Sequence, residues 1–189
     1  MSEVKESRRV KMTKMLLKES LVCLMKEKSI HTISIKEICD GADINRSTFY
    51  RHYNTQYELY DDIVQDLVNN ISDIFEQVKD EGYKANLFLT RLLEYIEAER
   101  ELFLIVLSDK GNISVGEAYT KMISGFIDTE TFPEIAVYVV NFIAAGMTSF
   151  LWTWLNQEKR RPAAEVATLM SSLMRHGLGR GIDFHPDRN

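Results

Sequence analysis

Residues 32–59 read Thr-Ile-Ser-Ile-Lys-Glu-Ile-Cys-Asp-Gly-Ala-Asp-Ile-Asn-Arg-Ser-Thr-Phe-Tyr-Arg-His-Tyr-Asn-Thr-Gln-Tyr-Glu-Leu. The stretch predicts two short helices joined by a tight turn, with a third helix starting behind them. Ser34 stands three residues before Glu37, a capping box that opens a helix at Ile35. Ile35 and Ile38 give that helix its buried side. Gly41-Ala42-Asp43 breaks the pattern, and Ile44 plugs the turn. Asn45 is placed to cap the next helix, Arg46 to about His52. Such a helix is too short to stand alone and must be held by its neighbours. Phe49 and Tyr53, four apart, form its inner stripe. The other face presents Arg46, Ser47, Thr48, Tyr50, Arg51 and His52. All of these can donate hydrogen bonds and none is a carboxylate, which suits the major groove of DNA with a phosphate strand on each side.

The string Ile44-Asn-Arg-Ser-Thr-Phe-Tyr-Arg-His-Tyr53, preceded by Ile33-Ser-Ile-Lys-Glu-Ile38, resembles the DNA-binding domain of TetR-type (TetR/AcrR) transcriptional regulators. It is closest to the branch whose recognition helix reads Ile-Asn-Arg-x-Thr-Phe-Tyr. The resemblance covers residues 10–65 or so, about a third of the chain. It implies that Thr48, Tyr50 and His52 touch phosphate or bases and that Ser34 and Lys36 lie near DNA at the start of the preceding helix. Two residues depart from the pattern. Asp43 stands where Gly is usual, which a left-handed turn tolerates. Gln56 stands where a Lys on phosphate is usual, and it hydrogen-bonds without adding charge.

Charge is distributed accordingly. The chain of 189 residues carries a net −5, but residues 1–60 hold 11 Lys and Arg against 8 Asp and Glu, and the remainder 12 against 20. A basic end on an acidic body fits a protein that faces nucleic acid with one end. An apolar fraction of 45% supports a real core, and only three Pro and nine Gly, with no Asn-Gly hairpin dipeptide, favour an all-α fold. No run approaches the ~18–20 apolar residues of a membrane span. The polar start, Met1 to Arg9, lacks a signal segment, so the expected location is the cytoplasm with no membrane partner. Cys23 and Cys39 read as two buried thiols inside helices.

Residues 1–9 read as a polar arm in which Lys5, Arg8 and Arg9 either reach DNA or merely solubilise. Residues 10–28 form the first helix, and Leu17, Leu21, Leu24 and Met25 close a core with Ile33, Ile35, Ile38, Ile44, Phe49 and Tyr53. His31 falls in the connection as a solvated loop residue. Thr55 and Glu58 cap a long helix to about Asp80, which is placed to connect the reading head to the body. Asp61-Asp62 reads as an exposed, dipole-favoured pair at its start. Gly82 ends this helix. A buried helix over 87–96 and a short core helix over 99–107 follow. Ser114 and Glu117 cap a helix that fades near Asp128. Residues 134–156 form the most apolar helix, Pro162 starts the last one, and Gly177, Gly179 and Gly181 end order before a loose tail.

The last two helices exceed one subunit's needs, so a homodimer through a four-helix interface is expected, with Ala144, Ala145 and Gly146 allowing close approach. The resemblance implies the same. Aromatic and Met residues of the body, among them Phe88, Tyr95, Phe103, Tyr119, Met122, Phe126, Tyr138, Phe142, Met147, Phe150, Trp152 and Trp154, read first as core. They leave room for a pocket for a small apolar or aromatic effector, with no residue singled out. Enzymatic readings are poor. His31, His52, His176 and His185 have no ligand spacing, Gly177-x-Gly179-x-Gly181 follows no strand, and Ser114-x-Gly116 is no nucleophile elbow. No catalytic residue, metal ligand or cofactor is assigned.

The sequence therefore predicts an all-α chain with a helix-turn-helix domain over 1–54 and a helical effector-binding and dimerisation domain over 55–189. Its function is read as sequence-specific binding to a palindromic operator in double-stranded DNA, with repression taken from the resemblance and release by a small ligand. Arg46, Ser47, Thr48, Tyr50, Arg51 and His52 are expected on the DNA, with Ser34, Lys36 and Gln56 at flanking phosphates. Arg46 and Arg51 are its long cations, and a guanine contact from one would be worth ~1–3 kcal/mol of discrimination. The alternative is a co-activator whose body docks a partner protein.

Overall fold

The computed structural model describes residues 8–82, 84–108 and 133–176. The elements there are α1 (Arg8–Met25), a 3-10 turn (Ile30–Thr32), α2 (Ile35–Ala42), α3 (Arg46–Phe49), α4 (Gln56–Asp80), α5 (Ala85–Ala98), α6 (Arg100–Ser108), α7 (Pro133–Leu155) and α8 (Ala163–His176). No strand occurs among the described residues, so the all-α expectation holds. They divide into two compact units, 8–67 with Ser108 and 68–107 with 133–176, and α4 contributes to both.

In the first unit the local signals act as read. Ser34 Oγ accepts from the Glu37 N–H, and the Glu37 carboxylate accepts in return from the Ser34 N–H at 2.9 Å. Asp43 adopts φ 52°, ψ 45°, and the Ile44 N–H reaches back to the Cys39 carbonyl at 3.0 Å. This is a helix stop with its left-handed residue supplied by Asp rather than Gly. Leu17, Leu21, Ile33, Ile38, Phe49, Tyr53, Leu59 and Ile63 are buried.

Several expectations are corrected. Leu24, Met25, Ile35 and Ile44 are only half-buried, because a core made by such short helices has few interior positions. Cys23 is exposed, and only Cys39 is buried. Arg8 and Arg9 are helical rather than part of an arm. Gly41 lies inside α2, not in the turn. Its role is close approach: a Cβ there would lie 2.5 Å from Ser20 Oγ. Ser20 is itself buried and donates to the Ile38 carbonyl at 2.8 Å, so α1 sits on α2 through a hydroxyl that leaves no room for a methyl.

In the second unit α5 and α8 form the most extensive contact. Phe88, Leu89, Leu92, Leu93 and Ile96 of α5 are buried, as are Val166, Ala167 and Met170 of α8. Polar ties surround this core. Arg100 Nε donates to the Leu155 carbonyl at 2.8 Å, and Trp154 Nε1 donates to the Arg161 carbonyl at 3.0 Å. Arg160 pairs with Glu97 at 3.2 Å. Gly82, at φ 82°, breaks the chain between α4 and α5 as expected.

Of the body aromatics, Phe88, Phe103 and Trp154 are buried, but Tyr138 and Phe142 are 76% and 81% exposed, and Trp152 is exposed as well. The core reading fails for these three. Exposed positions on α7 recur at Tyr138, Phe142, Ala145, Ser149 and Trp152, a spacing of four, three, four, three. That repeat lays one stripe along the helix, of the kind that packs on a second helix. The helix expected to fade near Asp128, Tyr119, Met122 and Phe126, the glycines at 177–181 and the tail lie outside the described residues.

Gly41→Ala should destabilise the chain by about 1–3 kcal/mol through overpacking. In Ser20→Ala/Gly41→Ala the remaining Ser20 Cβ lies at 3.6 Å, an ordinary contact, so most of that loss should be recovered. Urea unfolding of both single variants and the double variant measures the coupling, and strictly additive losses would contradict the contact.

Candidate nucleic-acid interface

The reading segment is shorter as a helix than the sequence predicts. α3 covers Arg46–Phe49, and Tyr50, Arg51 and His52 continue it as a turn rather than as α-helix. The reason is visible in the backbone, where the Arg51 N–H goes to Thr48 at 3.3 Å and the His52 N–H to Phe49 at 2.9 Å. These are three-residue bonds that tighten the last turn. Asn45 caps the segment as predicted, accepting from the Ser47 N–H at 2.9 Å.

Such a short helix is held from beneath. Phe49 and Tyr53 are buried, with ring centroids 5.8 Å apart. Tyr53 Oη donates to Asp62 Oδ2 on α4 at 2.6 Å, and Lys18 of α1 pairs with the same carboxylate at 3.1 Å. Asp62 is thus no exposed dipole residue. Burial pushes its carboxyl up, but hydrogen bonds from Tyr53 and Lys18 outweigh this and leave it below the usual aspartate range.

The outer face is open. Arg46 and Arg51 are exposed and Tyr50 is 56% exposed. Lys36, on the first turn of α2, is exposed too. Among the described residues none of Lys36, Arg46 and Arg51 forms an ion pair, whereas Lys18 and Lys28 are both taken up by carboxylates. Thr48, His52 and Gln56 are half-buried, with Gln56 heading α4.

Two predicted donors are already committed. Ser34 gives its hydroxyl to Glu37 at 2.8 Å, and Ser47 gives both its N–H and its hydroxyl to Asn45 at 2.9 Å. Either hydroxyl would have to exchange partners to meet a phosphate. Glu37 is held down to about 2 by hydrogen bonds from Lys28 and from the backbone and hydroxyl of Ser34, so it stays ionised and keeps the cap closed at neutral pH.

Sequence reasoning missed one arrangement beside this face. His31 is solvent-exposed as expected, but it sits in the 3-10 turn rather than a loop, its Nδ1 3.0 Å from Tyr57 Oη. A separation of 26 residues leaves no local signature for it. Burial pushes the Cys39 thiol up, against the pull of Arg46, so it is no nucleophile. Among the described residues no group of His, Cys, Asp and Glu is suited to hold a metal, and no helix is long and apolar enough to cross a membrane.

Residues 84–176 match a family model, TetR_C_8, described as a transcriptional regulator C-terminal region. A stretch of 51 residues, 27% of this chain, is 31% identical to the uncharacterized HTH-type transcriptional regulator YxbF of Bacillus subtilis (strain 168) and spans 13% of that protein's length. The fold is similar to that of a TetR transcriptional regulator from Streptococcus agalactiae 2603V, at TM-score 0.64 and 19% identity over 85% of this chain and 92% of that one. A putative TetR-family regulator from Syntrophomonas wolfei str. Goettingen gives 0.65 and 18% over 86% and 95%. A TerR/AcrR-family regulator from Aquifex aeolicus VF5 gives 0.62 and 21% over 86% and 99%. Each of these relatives is named as a transcriptional regulator.

Tyr53→Phe removes the bond to Asp62 and leaves the ring in place. It should cost about 1–2 kcal/mol at pH 7, the figure for a bond to a charged group after a discount for partial exposure. Because Asp62 is lowered in the folded state, its contribution is full above the ordinary aspartate value of about 4 and fades as pH falls below it. Unfolding of both proteins from pH 7 downward should therefore show the gap narrowing in acid. A gap that stays constant would contradict the bond.

Proposed function

Taking the chain as a TetR-type transcriptional regulator, as its C-terminal match and its fold support, we propose that it binds double-stranded DNA as a homodimer with two reading heads. The observation that carries this reading is the outward face of α3 and the turn after it, where Arg46, Tyr50 and Arg51 are exposed and the two arginines carry no ion pair among the described residues. Unpaired guanidinium groups on a short braced segment suit phosphate and guanine edges alike. Thr48, His52, Lys36 and Gln56 flank them, and Ser34 and Ser47 join once their hydroxyls leave Glu37 and Asn45. The finer assignment, to the branch with Ile-Asn-Arg-x-Thr-Phe-Tyr, rests on residues 44–50.

The homodimer is supported by the exposed stripe of Tyr138, Phe142 and Trp152 on α7, with Leu169 and Met174 exposed on α8. Burying one such side chain is worth about 1.5–3 kcal/mol, so leaving them all in water is costly. The resemblance supplies the remaining elements. These are a palindromic operator, repression by occupying it, and release when a small apolar or aromatic effector enters the helical body. The location that goes with this function is the cytoplasm. The proposed division of labour is 1–54 for DNA and 55–189 for effector and partner subunit, with the unbroken α4 as the connector.

Phe142→Glu tests the reading. It should turn a dimer into a monomer by light scattering while leaving the helical signal intact. On duplexes enriched from a random library it should cost about a hundredfold in affinity, the avidity of a linked second head. A variant that stays dimeric, or a monomer that binds as the wild type does, would overturn the reading.

A further inference from the structure

His31 and Tyr57 meet at the surface of the first unit, with His31 Nδ1 3.0 Å from Tyr57 Oη and ring centroids 5.8 Å apart. Neither residue builds the core. Ile30 and Ile33, on either side of His31 and Thr32, are 2% exposed, while His31 is exposed and Tyr57 is 40% exposed. Their position is informative. His31 leads within three residues to Ser34, and Tyr57 directly follows Gln56. The contact therefore joins the entry of α2 to the first turn of α4, the two places where flanking phosphates are proposed.

The chemistry of the pair is asymmetric. If Tyr57 donates to Nδ1, the His31 Nε2 carries a proton outward. If Nδ1 donates to Tyr57, the phenol proton is free to point outward. Each neutral arrangement thus keeps a donor for the solvent side, and protonation of the imidazole leaves two donors and a charge. Two carboxylates on these same elements are already hydrogen-bonded. Glu37 accepts from Ser34 and Lys28, and Glu58 accepts from Asn54 at 2.8 Å through its backbone and at 3.0 Å through its side chain. An outward donor next to an uncharged Gln56, with Glu37 and Glu58 engaged elsewhere, fits an anionic oxygen.

We infer that His31 and Tyr57 together form a phosphate-binding subsite for the DNA backbone at the flank of the reading segment. This inference rests on the DNA-binding reading. The subsite takes the phosphodiester group, reads no base, and adds a hydrogen bond beside the uncharged Gln56.

The test is fluorescence anisotropy with a labelled mixed-sequence duplex of about 30 base pairs, some three helical turns, at low salt. A phosphate contact is sequence-independent, so this probe suffices. Tyr57→Phe keeps the ring and its packing, and His31→Ala removes an exposed side chain, so both should keep the wild-type melting temperature. Each should weaken binding about threefold to tenfold, the value of one hydrogen bond, and the double variant should lose less than the two losses combined. Tyr50→Ala is the reference for the reading segment itself. If Tyr50→Ala weakens binding while both Tyr57→Phe and His31→Ala match the wild type, the subsite is overturned and the DNA reading stands. If the wild type does not bind, or Tyr50→Ala binds equally well, both fall together.

Discussion

A helix of four residues cannot hold its own position, and the molecule answers that constraint with one carboxylate. Asp62 of α4 receives Tyr53 from the end of the reading segment and Lys18 from α1. Three elements that share few apolar positions are thereby fixed to a common point. Formation of an isolated helical turn fixes about six dihedral angles for one hydrogen bond, so nothing intrinsic to residues 46–49 would keep them helical. The ring of Phe49 below and the Tyr53–Asp62 bond behind them do so. With the backbone fixed, Arg46, Tyr50 and Arg51 have little choice but to face solvent, which turns a piece of core architecture into the proposed reading surface.

A second constraint lies in the other unit. α7 is apolar over most of its girth, and only part of its described surface is buried. Leu151, Trp154 and Leu155 are buried, while Tyr138, Phe142 and Trp152 face water. The four-three spacing of Tyr138, Phe142, Ala145, Ser149 and Trp152, within an exposed face that also holds Asn141, Gly146 and Thr153, is of the kind that suits a second helix. The proposed homodimer covers that face. It also duplicates the reading head, and two heads on a twofold axis are what give a palindrome meaning.

Features fixed by neighbours in sequence were legible. The Ser34–Glu37 box, the Asn45 cap, the left-handed Asp43 and the stop at Gly82 all involve residues within a few positions of each other, where spacing and residue type decide the outcome. The all-α class and the exposure of Arg46, Tyr50 and Arg51 were legible for the same reason. Features that need two distant segments were not. Gly41 looked like a turn residue because glycine usually is one, and only the approach of Ser20 from α1 gives it a different role. Asp62 looked like a surface carboxylate because Tyr53 and Lys18 reach it from other elements. The exposure of Tyr138 and Phe142 was hidden because apolar periodicity reports that a face will be covered without saying by which chain. His31 and Tyr57 had no pattern at all to join them.

The central claim is that a twofold pair of braced, donor-bearing heads grips successive major-groove faces of one duplex. Hydroxyl-radical footprinting on a duplex enriched from a random library addresses this directly. The account predicts two protected backbone patches on the same face of the helix, related by a dyad and centred about 10 base pairs apart. A single patch, or protection spread evenly over the duplex, would contradict it.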